Sequence, residues 1–401
     1  MKRLFLFSAL PLSFLLFCSS GEKNSTQPFT RDGRFAVIES FHSDILDDDR
    51  RVRLYLPKSY DSSPETEYDV LYLDDGQNVF RPGGAYGCWY MEDVYDDLRT
   101  EGSVPELILV GIDFVNRTYE YNPYEIYGSG GGAADYLRMI TDELMPFLQK
   151  NFRMRIGPDH TAMMGSSFGG MNTLYNVWSR PDVFGKGVAM SGAYFCGNAQ
   201  FLRDMLSYSG TKKNLKLWID SGNGEYEGDD IDASYLDISG YIKHAAGDGL
   251  RLIFEQNLGL PLILKKLGYS YETDFQYLLS PNASHSESSW NVRAYHALRY
   301  IYAASLPEAV SMTAEFCPSS SVSCSSASPA AALLIQVTYA NGMKVTVPLE
   351  EAVVTSDSET LYTKSCGRIV IDAAKVSADT AISFTVNWKG ITAEAVLTVT
   401  K

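Results

Sequence analysis

The segment Gly165-Ser166-Ser167-Phe168-Gly169 contains a serine with one glycine two positions before it and another two positions after it. This spacing is typical of a sharp turn between a strand and a helix, where the glycines allow close packing and the serine side chain is exposed. An apolar segment precedes the motif and an amphipathic segment follows it, as such a turn requires. We therefore predict that Ser167, and not its neighbour Ser166, is a nucleophile for acyl transfer.

A serine hydroxyl needs a general base, and histidine is the usual one. The chain has five histidines. With a turn of this kind the chain order is nucleophile, acid and then histidine, which excludes His42 and His160. His285 lies in a loop directly after the last predicted strand of this region, whereas His244 lies in a helical stretch before that strand and His296 lies in the helix that follows the loop. We predict that His285 is the general base.

The carboxylate that orients the histidine should follow the predicted strand at residues 215–220. Glu225 lies three residues after Gly222 in the loop behind this strand, and Asp220 is expected to be buried at the strand end. Competing carboxylates follow in the same loop: Asp229, Asp230 and Asp232. This cluster is alternatively a solvated loop or a calcium site, although its spacing matches no known calcium loop. We predict that Glu225 holds the histidine tautomer and stabilises the imidazolium.

Acyl transfer from a serine also needs two hydrogen-bond donors for the negative charge that develops on the substrate oxygen. One donor is normally the backbone N–H of the residue after the nucleophile, which is Phe168. The other comes from a loop after an earlier strand. The predicted strand at residues 70–74 leads into Asp75-Gly76-Gln77, where the glycine allows a turn, so we predict Gln77 as the second donor.

Residues 35–307 alternate between strand-like and helix-like segments. The segment at residues 107–114 is continuously apolar, as expected for a strand that is buried on both faces. The other predicted strands are residues 51–56, 70–74, 161–165, 188–190, 215–220 and 271–279, and the predicted helices are residues 134–151, 169–178, 250–267 and 287–304. This alternation predicts an α/β fold with a mainly parallel sheet between two layers of helices.

After residue 307 the pattern changes to short alternating segments without a helix of useful length. Asn341-Gly342 lies between two predicted strands and is a strong hairpin signal. Residues 308–401 therefore predict a small all-β sandwich. The segments VTYANGMKVTVP and WKGITAEAVLTVT resemble the bacterial immunoglobulin-like repeats of cell-surface proteins. Residues 317–329 are rich in Ser, Pro and Ala, so we expect a linker that few contacts cross.

Residues 1–21 have the pattern of a signal peptide, because two basic residues precede an apolar run that ends at Phe17 and is too short to span a membrane. Cys18 follows this run. The arrangement resembles a bacterial lipoprotein signal, except that Phe17 replaces the usual small residue. Cys18 is therefore either lipidated or removed by cleavage after Gly21. Both routes predict export to the periplasm or the cell surface, with attachment to the outer membrane if Cys18 is lipidated and secretion otherwise.

The formal net charge is −15, from 49 acidic and 34 basic residues, and no run is rich in Lys or Arg. A nucleic-acid partner is therefore not expected. No Cys-x-x-Cys or His-rich spacing indicates zinc, and we predict neither a metal nor another cofactor. The cysteines other than Cys18 are Cys88, Cys196, Cys317, Cys324 and Cys366. In an exported protein Cys317 can pair with Cys324, or one of them with Cys366; buried free thiols are the alternative.

Six segments occur in order and carry a family resemblance: YDVLYLDDGQNVF, RTYEYNP, DELMPFLQKNFRM, MGSSFGGMNTLY, FGKGVAMSGAYF and SHSESSW. They resemble the putative-esterase family of α/β hydrolases, which includes enterochelin-esterase-like, feruloyl-esterase-like and esterase D-like proteins. The resemblance implies an α/β-hydrolase domain at residues 33–307 that hydrolyses carboxylic esters. By position it implies a triad of Ser167, His285 and Glu225. The backbone amides of Gln77 and Phe168 would form its oxyanion hole.

In this family a segment such as RTYEYNP borders the substrate cleft, which implies substrate contacts for Arg117, Glu120 and Tyr121. A packed loop held by an ion pair between Arg117 and Glu120 is the alternative. The expected substrate is an acyl or aryl ester of a sugar or a similar small molecule. An acyltransferase of the same fold and a catalytically silent surface-binding lipoprotein are the alternative functions.

Overall fold

The computed structural model describes residues 29–126, 128–222, 224, 249–326 and 328–401. The predicted signal peptide, with Cys18, lies outside the described residues. Glu225 and the acidic cluster that follows it also lie outside them.

A nine-stranded sheet forms the centre of the larger part of the protein. The strands of this part are β1 Phe29–Asp32, β2 Phe35–Ser43, β3 Asp48–Tyr55, β4 Asp69–Leu73, β5 Leu107–Ile112, β6 Glu125–Ile126, β7 Ser129–Gly130, β8 Thr161–Ser166, β9 Lys186–Met190, β10 Lys216–Gly222 and β11 Phe275–Ser280. The spatial order is β1-β2-β3-β5-β4-β8-β9-β10-β11, and β6 and β7 form a separate hairpin. The pairs from β1 to β5 are antiparallel, and all pairs from β5 to β11 are parallel.

Helices pack on this sheet: α1 Gly76–Val79, α2 Met91–Thr100, α3 Arg117–Tyr121, α4 Ala133–Arg138, α5 Met145–Asn151, α6 Phe168–Ser179, α7 Cys196–Ser207, α8 Gly249–Lys266 and α9 Glu287–Ile301. Strands β5 and β8 are buried at every residue, which requires cover on both faces of the sheet. Helix α2 packs against α9, and α6 packs against α3. The prediction of a mainly parallel α/β sheet is confirmed, and the three-layer arrangement is the α/β-hydrolase fold.

The helix predicted at residues 134–151 is not a regular α-helix along its whole length. A π-helical turn at Met139–Leu144 separates α4 from α5, and the N–H of Met145 donates to the carbonyl of Ile140. Pro146 lies at the start of α5. Proline has no N–H to donate, and its ring collides with the carbonyl four residues earlier in an α-helix, so a widened turn before it is the expected response.

Two further sheets form the C-terminal β unit, which we define as residues 308–401. Its strands are β12 Ala309–Cys317, β13 Ser321–Ser323, β14 Ala330–Tyr339, β15 Lys344–Val347, β16 Val353–Ser356, β17 Tyr362–Ser365, β18 Arg368–Ile371, β19 Thr380–Trp388 and β20 Ile391–Thr400. One sheet has the order β12-β14-β18-β17 with β15 beside β14, and the other has the order β13-β20-β19-β16. Asn341-Gly342 joins β14 to β15, as the hairpin signal predicts. The small all-β sandwich is confirmed; its immunoglobulin-like character stays a prediction.

The expected linker at residues 317–329 lies inside the C-terminal β unit, because it contains the end of β12 and the whole of β13. The expectation of few contacts between the two parts is wrong. Strand β15 packs against β11, which is the last strand of the nine-stranded sheet. The backbone N–H of Leu279 donates to Thr346 Oγ1 at 2.8 Å, and Tyr339 donates to Glu272 Oε1 at 2.8 Å. The C-terminal β unit thus covers an open sheet edge.

Ending the chain at Pro307 should therefore destabilise the part of the protein that holds the nine-stranded sheet. The truncation removes the cover of β11 and exposes apolar side chains such as Leu279, which is fully buried in the whole chain. We expect the melting temperature to fall by about 5 °C or more, since 1 kcal/mol corresponds to roughly 2–4 °C in a large domain. Differential scanning calorimetry of the truncated and the full chain in one buffer measures this. Equal melting temperatures would show that the contacts add no stability.

Candidate active site

Ser167 lies at the sharp turn between β8 and α6, where the sequence motif predicts it. Its backbone has φ 59° and ψ −122°, outside the regions that L-residues ordinarily adopt. A side chain at position 165 would not fit, because a Cβ on Gly165 would lie 2.6 Å from the carbonyl oxygen of Gly169. Hydrogen bonds hold the strained turn: the N–H of Ser167 donates to Met190, and its carbonyl accepts from Ala193, each at 3.0 Å. The turn exposes the Ser167 side chain to a cavity.

His285 lies in the loop between β11 and α9 and lines the same cavity as Ser167. The ring of Trp290 meets the His285 ring edge to face, with 4.9 Å between the ring centroids. The first turns of α9 are anchored on Ser191, whose Oγ accepts from Trp290 Nε1 at 3.2 Å and from Arg293 Nη2 at 3.0 Å. The start of α9 therefore fixes the C-terminal end of the loop that carries His285.

Asp220 is fully buried at the end of β10, where the sequence analysis expects it. Its carboxylate forms an ion pair of 2.8 Å with Arg293 and accepts a hydrogen bond of 2.8 Å from Trp218 Nε1. Such a pair is costly to break from one side, since the remaining charge would be buried alone. Through this ion pair Asp220 holds α9 against the sheet. The predicted acid, Glu225, lies outside the described residues.

The cavity has a volume of about 530 Å³, a size common for sites that bind small molecules. Its aromatic walls are Tyr86, Trp89, Phe114 and Trp290. Its polar groups besides Ser166, Ser167 and His285 are Asp75, Asn78, Arg117 and Glu287. Of these residues only Ser167, His285 and Arg117 are candidates from the sequence. The others follow no periodic pattern, although Trp290 and Glu287 belong to the quoted SHSESSW segment.

Arg117 is the charged anchor of the cavity floor. Its guanidinium binds both carboxylate oxygens of Asp75, at 2.6 and 2.8 Å, and donates to the carbonyl of Ser166 at 3.1 Å. Burial alone would lower the pKa of Arg117, but the facing Asp75 carboxylate outweighs this and raises the pKa above its ordinary value. This ion pair ties the chain just after β4 to the turn that carries Ser167.

Glu120 and Tyr121, the other two residues predicted to contact substrate, do not line the cavity. Glu120 is buried and pairs with Arg50 at 2.9 Å, so the alternative ion pair between Arg117 and Glu120 does not form. Tyr121 is fully buried, and its hydroxyl accepts the backbone N–H of Asp75 at 2.8 Å. Both residues support the loop beneath the cavity rather than its surface.

Gln77 and Phe168, the predicted oxyanion donors, lie at the starts of two helices. Phe168 is the first residue of α6, directly after Ser167. Gln77 lies in α1, between the cavity residues Asp75 and Asn78, but is itself absent from the cavity lining. The Asp75 backbone has φ 56°, which turns the chain from β4 into this short helix.

Two carboxyl groups near the cavity are perturbed by burial. Asp74 is almost fully buried and accepts hydrogen bonds from Tyr136 at 3.2 Å and from Asn172 at 3.0 Å. Burial raises the pKa of Asp74 well above its ordinary range, and the neighbouring charge of Asp75 adds to the effect. Glu287 faces the cavity at the start of α9 and accepts from Asn78 Nδ2 at 3.3 Å. Burial also raises the pKa of Glu287.

Among the described residues no group of three or more His, Cys, Asp or Glu side chains is arranged to hold a metal ion. In the same part of the chain, no helix is long and apolar enough to cross a membrane. Cys88 and Cys196 are buried, and Cys324 is half-buried with a free thiol, so the pairing of Cys317 with Cys324 does not form.

Comparison with known proteins identifies related sequences. The uncharacterized protein YbbA of Bacillus subtilis is 31% identical over 157 residues, which are 37% of this chain and 59% of that protein. The iron(III) enterobactin esterase of Dickeya dadantii is 34% identical over 171 residues, 43% of this chain and 36% of that protein. A solved structure of a ferulic acid esterase is 19% identical, covers 67% of this chain and 98% of its own, and has a TM-score of 0.49.

The chain thus spans less than two thirds of the length of these two sequence relatives. The family described as "Putative esterase" matches residues 43–238, a segment that includes β4, the Ser167 turn and β10. Residues 43–238 of this chain therefore belong to the putative esterase family.

Proposed function

We propose that the protein is an exported serine esterase that hydrolyses carboxylic esters through an acyl-enzyme on Ser167. The observation that carries the proposal is the strained turn at Ser167, which presents its side chain to a cavity that His285 also lines. A serine held in this way beside a histidine suits nucleophilic catalysis. Export, with a lipid on Cys18 as one form of it, rests on the N-terminal sequence pattern alone.

In the proposed reaction, Ser167 Oγ attacks the ester carbonyl while His285 takes the hydroxyl proton. The C–O bond to the alcohol then breaks, and His285 returns the proton to the leaving oxygen. Water repeats the sequence on the acyl-enzyme, releases the acid and restores Ser167. The amides of Phe168 and Gln77 are the proposed donors to the oxyanion, and Glu225 is the proposed orienting acid.

The cavity supports a compact ester with an aromatic or sugar-like part as substrate. Trp89 and Trp290 lie 5.7 Å apart between ring centroids, and both line the cavity, as does the largely exposed Tyr86. Flat rings of this kind suit an aryl group or the apolar face of a sugar. The relative named iron(III) enterobactin esterase also points to small-molecule esters. We therefore propose an acyl or aryl ester of a sugar or a similar small molecule.

Replacing the proposed nucleophile tests the whole assignment. Ser167→Ala should lower the rate of p-nitrophenyl acetate hydrolysis by about three orders of magnitude or more, since no acyl-enzyme can form. A fluorophosphonate probe should label the wild-type chain and not this variant. Ser166→Ala is the matched control, because it removes the neighbouring hydroxyl and should keep the label. Labelling of Ser167→Ala at the wild-type level would contradict the proposal.

Glu225→Gln should lower kcat by roughly two to four orders of magnitude, because an amide cannot stabilise the imidazolium as a carboxylate does. Circular dichroism should show an unchanged fold. Asp229→Asn and Asp230→Asn are the controls, and each should stay close to the wild-type rate. If either control is slower than Glu225→Gln, the orienting acid lies in the acidic cluster.

The pair of Arg117 and Asp75 should act as one element. Arg117→Met and Asp75→Asn should each lower kcat/KM by about tenfold or more, because each leaves a buried or half-buried charge without its partner. The double variant should be no worse than the poorer single variant, since the coupling is already lost. Arg51→Met is the matched control: it removes a 2.8 Å pair with Asp113 in which the arginine is 41% exposed, and should change little. Additive losses in the double variant would show that the pair does not act as a unit.

A further inference from the structure

The edge strand β11 leads directly into the loop of His285, which spans residues 281–286. On one side β11 pairs with β10, with Leu279 beside Ser221. The N–H of Leu217 in β10 donates to Asp274, the residue just before β11. In a parallel pair, alternate residues turn their N–H and C=O groups to the same neighbour. The backbone groups of Leu279 therefore point away from β10, toward the open side of the sheet.

Two side chains of the C-terminal β unit occupy this open side. Thr346 Oγ1 accepts from the N–H of Leu279 at 2.8 Å and donates to its carbonyl at 3.4 Å. Gln336 Nε2 donates to the same carbonyl at 2.7 Å. Gln336 and Thr346 are cross-strand partners in β14 and β15, so their side chains share one face. Together they supply the hydrogen bonds that a neighbouring strand would otherwise make at the C-terminal end of β11.

These contacts lie at the end of β11 from which the His285 loop begins. Leu279 is fully buried and Thr346 is 3% exposed, so water does not replace these hydrogen bonds. The loop of His285 begins two residues after Leu279 and ends at α9, which Ser191 anchors through Trp290. The loop is thus held at both ends, at one end by the hydrolase part and at the other by the C-terminal β unit.

We propose that Thr346 and Gln336 are positioning residues for His285, so that the C-terminal β unit forms part of the catalytic apparatus. The inference rests on the proposed function, in which His285 is the general base. Proton transfer requires the imidazole within hydrogen-bond reach of the serine, and small displacements of a reacting group lower the rate steeply. Binding of the ester depends on the aromatic walls instead. The effect should therefore appear in kcat and not in KM.

The test uses the full chain with p-nitrophenyl acetate as the probe. Thr346→Val keeps the shape of the side chain but removes both hydrogen bonds to Leu279. We expect kcat about tenfold lower, with KM within about twofold of the wild-type value. Thr346→Ser restores the hydroxyl and should recover most of kcat. Gln336→Met removes only the second donor and should lower kcat by about threefold.

Tyr339→Phe is the matched control in the same interface. It removes the 2.8 Å hydrogen bond to Glu272, which lies before β11, and the 3.4 Å hydrogen bond from Gln276, the second residue of β11. Both contacts lie at the end of β11 remote from the His285 loop. It should lower the melting temperature about as much as Thr346→Val while kcat stays within about twofold of wild type. An equal loss of kcat in Tyr339→Phe would show that these contacts affect the rate only through the general stability of the protein, and it would overturn the inference.

The remaining outcomes separate this inference from the proposed function. If hydrolysis depends on Ser167 and Thr346→Val keeps the wild-type kcat, the inference fails but the proposed function stands. If Thr346→Val does not fold, Gln336→Met decides, and an unchanged kcat in that variant overturns the inference. If Ser167→Ala hydrolyses the ester at the wild-type rate, the proposed function fails and the inference fails with it.

Discussion

The rest of the candidate active site depends on one backbone constraint, the strained conformation of Ser167 with positive φ. A residue with a side chain at φ 59° and ψ −122° carries strain of about 1–3 kcal/mol, which its surroundings must offset. Buried strands on both sides supply this support, since β8 lies between β4 and β9 in the middle of the sheet. The hydrogen bond that Ser167 donates to Met190 and the one that it accepts from Ala193 fix the turn on one side, and Arg117 binds the carbonyl of Ser166 on the other. The strained turn therefore requires a central position in a large sheet.

The carboxyl groups beneath the cavity are also constrained by burial. Asp74 and Asp75 are adjacent and both buried, and two neighbouring carboxylates in a dry environment repel each other. The two carboxyl groups have different partners, which lowers this repulsion. Asp75 pairs with Arg117, whereas burial holds the pKa of Asp74 well above its ordinary range. One carboxyl thus binds the guanidinium, and the other accepts hydrogen bonds from Tyr136 and Asn172.

Features set by local sequence could be predicted, and features set by long-range pairing could not. The turn at Ser167 and the strand before it follow from a short motif and a hydrophobic run, and the order of strands and helices places His285 at the same cavity. The partner of Arg117 could not be inferred from the sequence. Glu120 is close to it along the chain but pairs with Arg50 of β3, and Arg117 pairs with Asp75 instead. Composition at residues 317–329 indicated a linker because serine and proline are common there, yet β13 pairs with β20 from the chain's end. Glu225 lies outside the described residues, so its role remains a prediction.

The cover on β11 also bears on how the protein avoids unwanted association. Open sheet edges can pair with strands of other molecules. Strand β11 is mostly apolar and is buried at all but its last residue, so without its cover it would be an effective template for aggregation. The opposite edge, β1, is protected differently. It has four residues and is largely exposed, and its Arg31 forms a 2.8 Å ion pair with Asp61. A short charged strand is a poor partner for another edge. A short charged strand thus ends the sheet on one side, and a folded β unit covers it on the other. The C-terminal β unit therefore blocks edge-to-edge association in addition to supporting β11.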